Sequence, residues 1–291
     1  MRSYKQWFLV IAGIILANSV SAQSIKAASK DETYGNNKAA AHYLNTRGIK
    51  LYYEIYGKGE PLLIMHANGG SINNFKGQIP FFAKKYQVII ADSRAQGKTT
   101  DKADSLSYEM MADDMNALLD SLHLKQCYVI GWSDGSINAL LLAMRHPDKV
   151  KKMAITGANL WPDTTALEPY VFNMISQQNK LLTDSVKKVK SPSYELRNEV
   201  KLWNMLAVQP NIKAEELRKI QVPVLVIGGD HDVVKPEHAL LIAKSIPNSY
   251  LWIIPGAGHA TPVYHEQDFN KTVDDFFKKP YQKIEGRGML K

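Results

Sequence analysis

Short apolar runs alternate with longer amphipathic stretches along most of the chain. The runs span 51–56, 61–65, 88–91, 127–131, 153–156, 224–228 and 250–254, and most are bounded by Gly, Pro or Asp. Runs this short and apolar, punctuated in this way, predict buried strands. The intervening stretches 108–122, 135–145, 236–245 and 267–278 predict helices. Strands alternating with helices predict the α/β class, a mostly parallel sheet with helices on both faces. The first two runs are joined too closely to hold a crossover helix, so an antiparallel edge is expected there.

One segment breaks the rhythm. Residues 159–217 are polar and helix-prone, hold no strand-like run, and scatter Trp161, Tyr170, Phe172, Tyr194 and Trp203 along their length. That is too much chain for one helix and its loops, so it predicts a small helical cap inserted in a domain spanning 39–278. The ends read differently. Arg2 and Lys5 precede an apolar stretch over 7–20, and Val20-Ser21-Ala22 puts small residues at −3 and −1 of a cleavage site before Gln23. Residues 1–22 therefore predict a signal peptide. The apolar stretch is short for a hydrocarbon core of roughly 30 Å, so no stable membrane anchor is expected after cleavage. Export to the periplasm or beyond follows, with 23–38 expected as a mobile leader and 279–291 as a basic tail.

The net charge of +8 raises the question of a nucleic-acid partner. Its location answers it. Arg2 and Lys5 face no acid in the leader, and from Lys278 onward five cations face only Glu285. The body between carries little net charge, so no nucleic-acid binding is expected. Cys127 is the only cysteine, which excludes an intramolecular disulfide, and its apolar run predicts a small buried core residue. Neither ligand-spaced His/Cys clusters nor a phosphate-binding glycine loop occurs, so no metal and no organic cofactor are expected.

The strongest chemical signal is Gly131-Trp132-Ser133-Asp134-Gly135, between a strand-like run and a helix-like stretch. That context suits a G-x-S-x-G turn, which thrusts the serine hydroxyl out above a sheet and needs small residues on either side. A serine hydroxyl is a weak nucleophile, so a histidine base and an orienting carboxylate are required elsewhere. Of eight histidines, His259 follows a strand-like run and the glycine-rich segment Gly256-Ala257-Gly258, and is the candidate base. Asp230 and Asp232 both end the preceding strand-like run, and Asp163 is a third candidate acid; residue chemistry leaves these open.

From about residue 40 to 277 the chain resembles the α/β-hydrolase superfamily. The stretch Pro223 to Pro236 looks like that family's strand, loop and acid, and the resemblance implies Asp232 as the triad carboxylate with Asp230 serving the loop. His66-Ala67-Asn68-Gly69-Gly70 looks like its oxyanion loop, which implies the backbone N–H groups of Asn68 and Asp134 as oxyanion donors and His66 as a loop brace. Residues 91–97 resemble a structural loop of the family. A closer likeness over 130–160 is to the valacyclovir hydrolase group, in which the acid after the nucleophile binds an α-ammonium. Carried over, that acid is Asp134; its plainer role is to meet the positive end of the elbow helix. Ser136 stands where that group usually has glycine.

Together these imply a serine hydrolase that cleaves small carboxylic esters through an acyl-enzyme, α-amino-acid esters among them, with the cap residue Trp161 as a candidate substrate contact. The same triad can serve C–C bond, lactone or amide cleavage, or persist in a ligand receptor without turnover, because chemistry follows the pocket.

Overall fold

The computed structural model describes residues 34–283. The expected signal peptide, the leader as far as residue 33 and residues 284–291 of the tail lie outside the described residues.

The first two strands, β1 (Ala41–Thr46) and β2 (Ile49–Tyr56), form an antiparallel hairpin with Thr46 opposite Ile49. Its two-residue turn, Arg47-Gly48, has φ of 45° and 76°, the doubly left-handed geometry that matches strand twist and favours glycine. No apolar run marks β1, because all six of its side chains are at least partly exposed. Then follow β3 (Glu60–Met65), β4 (Tyr86–Ala91), β5 (Cys127–Trp132), β6 (Val150–Thr156), β7 (Val224–Gly229) and β8 (Ser249–Ile254). The eight strands make one sheet in the order β1-β2-β4-β3-β5-β6-β7-β8, parallel from β4 onward.

The antiparallel edge is therefore present, but β2 pairs with β4, not with its sequence neighbour β3. The short link between β2 and β3 has to cross the start of β4. Gly57 and Gly59, at φ of 71° and 127°, press against it: a Cβ on either would lie within 2.4 Å of a carbonyl oxygen of Ala83 or Lys85. Only residues without a Cβ pass that closely, and the link has glycine at both points of contact.

Side chains alternate along each central strand between two cores. On one face Leu63, Met65, Val129, Ile155 and Val226 pack with helices α2 (Tyr108–Ser121), α3 (Asp134–Arg145) and α6 (Pro236–Ser245). On the other, Leu62, Ile64, Ile90, Ile130 and Ile227 meet α1 (Gln78–Phe82) and α7 (Glu266–Lys278), the latter through Phe269, Val273, Phe276 and Phe277. Those four positions recur at i, i+4, i+7 and i+8, one stripe of a helix. All six residues of β5 and of β7 are buried, as strands covered on both faces require. Cys127 is buried here, and desolvation pushes its thiol up to about 12.

Between β6 and β7, in the segment expected to form a cap, lie the helices α4 (Pro169–Lys187) and α5 (Tyr194–Val208). A polar seam ties α5 to the body. Lys201 Nζ lies 2.6 Å from Asp101 Oδ2, and the Asp101 N–H donates to the Tyr194 hydroxyl at 2.8 Å. Asp101 in turn shares the buried Arg94 guanidinium with Asp114, at 2.9 and 2.6 Å. Residues 34–38, expected within the mobile leader, are anchored instead. The fully buried Glu54 carboxylate accepts the Gly35 and Asn37 N–H groups at 2.8 and 3.1 Å and the Tyr56 hydroxyl at 2.7 Å. A buried carboxylate needs several donors, and this polar segment supplies two.

Candidate active site

Ser133 sits at the junction of β5 and α3 with φ 55° and ψ −119°, a conformation that a residue bearing a Cβ adopts only under strain. The flanking glycines permit it. A Cβ on Gly131 would lie 2.5 Å from the Gly135 carbonyl oxygen, and one on Gly135 would lie 2.1 Å from that of Met65. The Ser133 N–H donates to Thr156 O at 2.8 Å, and Ser136 ties the same point twice: its hydroxyl donates to Thr156 O and accepts the Thr156 N–H. Ser136 thus pins the elbow to β6, which a glycine could not do.

His259 reaches the serine from the loop after β8. The Trp132 indole N–H donates to the His259 carbonyl at 2.8 Å, holding that loop over the elbow. Gly157, at φ 68°, leaves room for the ring; a Cβ there would fall 2.7 Å from His259 Cε1. The imidazole spans two partners, with Nε2 2.9 Å from Ser133 Oγ and Nδ1 2.6 Å from Asp232 Oδ1. Asp232 is nearly fully buried, and its Oδ1 also accepts the Val234 N–H at 3.1 Å. The other two acids are elsewhere. Asp230 accepts the Ala257 N–H at 3.1 Å with its side chain 40% exposed, and Asp163 accepts from Thr165 within a surface turn.

The loop after β3 carries Asn68. It is held by His66, whose Nδ1 lies 2.7 Å from Ala67 O and whose Nε2 accepts the Ser93 N–H at 2.9 Å, and by the Gln96 side chain, which accepts the Gly69 N–H at 2.6 Å. Burial pushes His66 below its ordinary pKa, which suits a neutral ring used as a strut. Asp134 is the first residue of α3, so its N–H has no acceptor within the helix. Its carboxylate is buried and turned sideways, accepting the Asn68 side-chain amide at 2.8 Å and the Tyr108 hydroxyl at 3.0 Å. Burial raises Asp134 to about 6, against the opposing pull of those two hydrogen bonds and of His259.

Trp161 packs between the main core and a smaller cluster around Leu167, Val171, Ile175 and Val234, edge-on to His238 at 4.8 Å, and its indole N–H donates to Thr165. Tyr108 has a role that is not legible in the sequence. It is an aromatic at the start of a helix, and nothing local shows that its hydroxyl meets a residue 26 positions later. Among the described residues, no group of three or more His, Cys, Asp or Glu is placed to hold a metal ion.

A nucleophile, a base and an orienting carboxylate in hydrogen-bonded line can do acyl-transfer chemistry. Burial pushes His259 down, but the Asp232 carboxylate, by charge and hydrogen bond, and Asp134 by charge outweigh it and hold the imidazole above its ordinary 6.5. A base must be neutral to take the serine proton. For any substrate turned over at Ser133, kcat/KM should therefore rise with pH through a midpoint above 6.5; a profile flat from about pH 5 to 8 would contradict this placement of the base.

Sheet order, elbow and covering helices define the α/β-hydrolase fold, and a family model described by that name matches residues 60–186. The chain has the α/β-hydrolase fold and over those residues is similar to the family of that name. Among curated proteins it is similar to serine hydrolase BPHL of Mus musculus, 27% identical with 84% of this chain and 89% of that protein covered. It is also similar to a 2-hydroxy-6-oxononadienedioate/2-hydroxy-6-oxononatrienedioate hydrolase of Pseudomonas putida, 26% identical over 79% of this chain and 92% of that one. Among solved structures, the enol-lactonase of Burkholderia xenovorans superposes with a TM-score of 0.68 at 21% identity, covering 82% of this chain and all of that one. That last likeness concerns the fold.

Proposed function

We propose that this protein is a serine hydrolase that cleaves small carboxylic esters through an acyl-enzyme. The observation that carries the reading is the line Ser133 Oγ, His259, Asp232 at 2.9 and 2.6 Å, set on a strained elbow. Ser133 Oγ attacks the ester carbonyl while His259 Nε2 takes its proton. The tetrahedral oxyanion is met by the backbone N–H groups of Asn68 and Asp134. His259 then protonates the departing alcohol, leaving the acyl group on Ser133. Water, deprotonated by His259, attacks that acyl group, and the serine leaves with the proton returned. Asp232 holds the imidazole in the tautomer that both halves need and stabilises the imidazolium formed in each. The N-terminal segment, with its basic start, apolar run and Val20-Ser21-Ala22, is in keeping with an exported enzyme.

A finer reading, that α-amino-acid esters are among the substrates, is favoured by one observation. Asp134 is a buried carboxylate whose hydrogen-bond partners are the neutral groups of Asn68 and Tyr108, and buried charges ordinarily face a cation. A substrate ammonium beside the scissile carbonyl would supply one. The test is a panel of p-nitrophenyl acetate, short-chain and α-amino-acid esters, lactones and a C–C-cleavage substrate. Highest kcat/KM on esters is expected. Turnover of only the C–C substrate, or of none, would overturn the ester reading.

A further inference from the structure

The two residues read as oxyanion donors are also joined through their side chains. Asn68 lies on an irregular loop and Asp134 at a helix start, and the Asn68 amide donates to Asp134 Oδ2 at 2.8 Å across the gap between them. The other carboxylate oxygen accepts the Tyr108 hydroxyl at 3.0 Å from α2, so the carboxylate is held at both ends. Asp134 and Tyr108 are 2% and 1% exposed, and a hydrogen bond in such surroundings is strong and leaves a costly orphan when broken. The remaining ties of the loop run away from the elbow: His66 reaches Ser93, and Gly69 reaches Gln96. The Asn68–Asp134 bond is the tie that spans the two halves of the hole directly.

We propose that the Asp134 carboxylate, clamped by Tyr108 and Asn68, is a brace that sets the separation of the two oxyanion donors, so that Asn68 and Asp134 act through their side chains as positioning residues. The proposal rests on the serine-hydrolase reading above and adds a role that needs no charge on the substrate. Oxyanion donors act on charge that develops in the transition state, so misplacing one lowers kcat and leaves substrate binding nearly untouched. Asn68→Ala keeps the backbone N–H but removes the tie. Asp134→Ala removes its other end and Tyr108's acceptor. Because both variants break one link, their effects should not multiply.

The experiment is a double-mutant cycle on p-nitrophenyl acetate, an uncharged ester, with kcat and KM measured separately. Asn68→Ala should lower kcat on the order of 10–100-fold with KM within about twofold. Asp134→Ala and the double variant should lose about as much as the single variant, and Asp134→Asn, whose amide can pair with a turned-over Asn68 amide, should recover most of the Asp134→Ala loss. Wild-type kcat in Asn68→Ala, or losses that multiply in the double variant, would overturn the brace. Losses confined to KM, or to α-amino esters, would overturn it in favour of a substrate anchor. Asn68 is only half-buried, so Asn68→Ala remains informative if Asp134→Ala fails to fold. Absence of ester turnover in the wild-type protein would instead overturn the hydrolase reading on which the brace rests.

Discussion

Replacing Ser133 by alanine should reduce ester turnover by about 10³-fold or more, to the small residual rate that binding and an oxyanion hole support alone. The fold should survive the change. Alanine keeps a Cβ, so it meets the same φ of 55° as the serine does. The hydroxyl's one described side-chain partner is His259 Nε2, whose ring is part-exposed, so it is not left as a buried orphan. Turnover should collapse while the thermal midpoint stays within a few degrees, measured by p-nitrophenolate release and by unfolding of the same samples. Retained turnover in Ser133→Ala would exclude Ser133 as the nucleophile.

The second large effect separates two neighbouring acids. Asp232→Asn should lower kcat/KM on the order of 10⁴-fold, because an amide opposite His259 Nδ1 favours the wrong tautomer and cannot offset the imidazolium charge. Asp230→Asn should cost less than about tenfold, since Asp230 ties only the Ala257 N–H from an exposed position and that loop keeps other supports. The His231 N–H to Ala257 O bond at 2.9 Å is one of them. A pH profile adds an independent sign. Asp232 is the chief influence holding His259 above 6.5, so whatever activity Asp232→Asn retains should titrate at lower pH than the wild type. Equal losses in the two variants, or a larger loss in Asp230→Asn, would reassign the acid.

Which parts of this molecule are legible in its sequence follows from how local their signals are. The alternation of buried strands and helices is written in runs such as 127–131 and 224–228, because strands covered on both faces have no polar positions. Strand β1 is invisible for the opposite reason: its Arg47-Gly48 turn and half-exposed side chains leave no apolar run. The placement of β4 between β2 and β3 is not legible either, since a short link ordinarily joins spatial neighbours. What allows the crossing, two glycines pressed against the carbonyls of Ala83 and Lys85, has meaning only once the third dimension is known.

The site divides in the same way. Ser133 announces itself because strand, small flanks and helix are contiguous, and His259 because a glycine-rich loop follows a strand. Asp232 and Asp230 are two residues apart with the same chemistry, and what distinguishes them is the 2.6 Å contact to a ring 27 residues away. The sequence shows Asp134 as a residue but not as a bond. Its partners, Asn68 and Tyr108, are 66 and 26 residues distant on different elements, so no spacing rule reaches them. Residues 34–38 look like a leader by composition, yet the buried Glu54 carboxylate draws their N–H groups in.

In the proposed chemistry every ester turnover passes through a covalent intermediate on one serine. The most direct measurement is to treat the full protein with a fluorophosphonate, map the adduct by peptide mass spectrometry and follow turnover in parallel. One label per chain is expected on the peptide containing Ser133, with loss of turnover in step with labelling and no label on Ser133→Ala. A label on another residue, or turnover that persists once Ser133 is fully labelled, would contradict that chemistry.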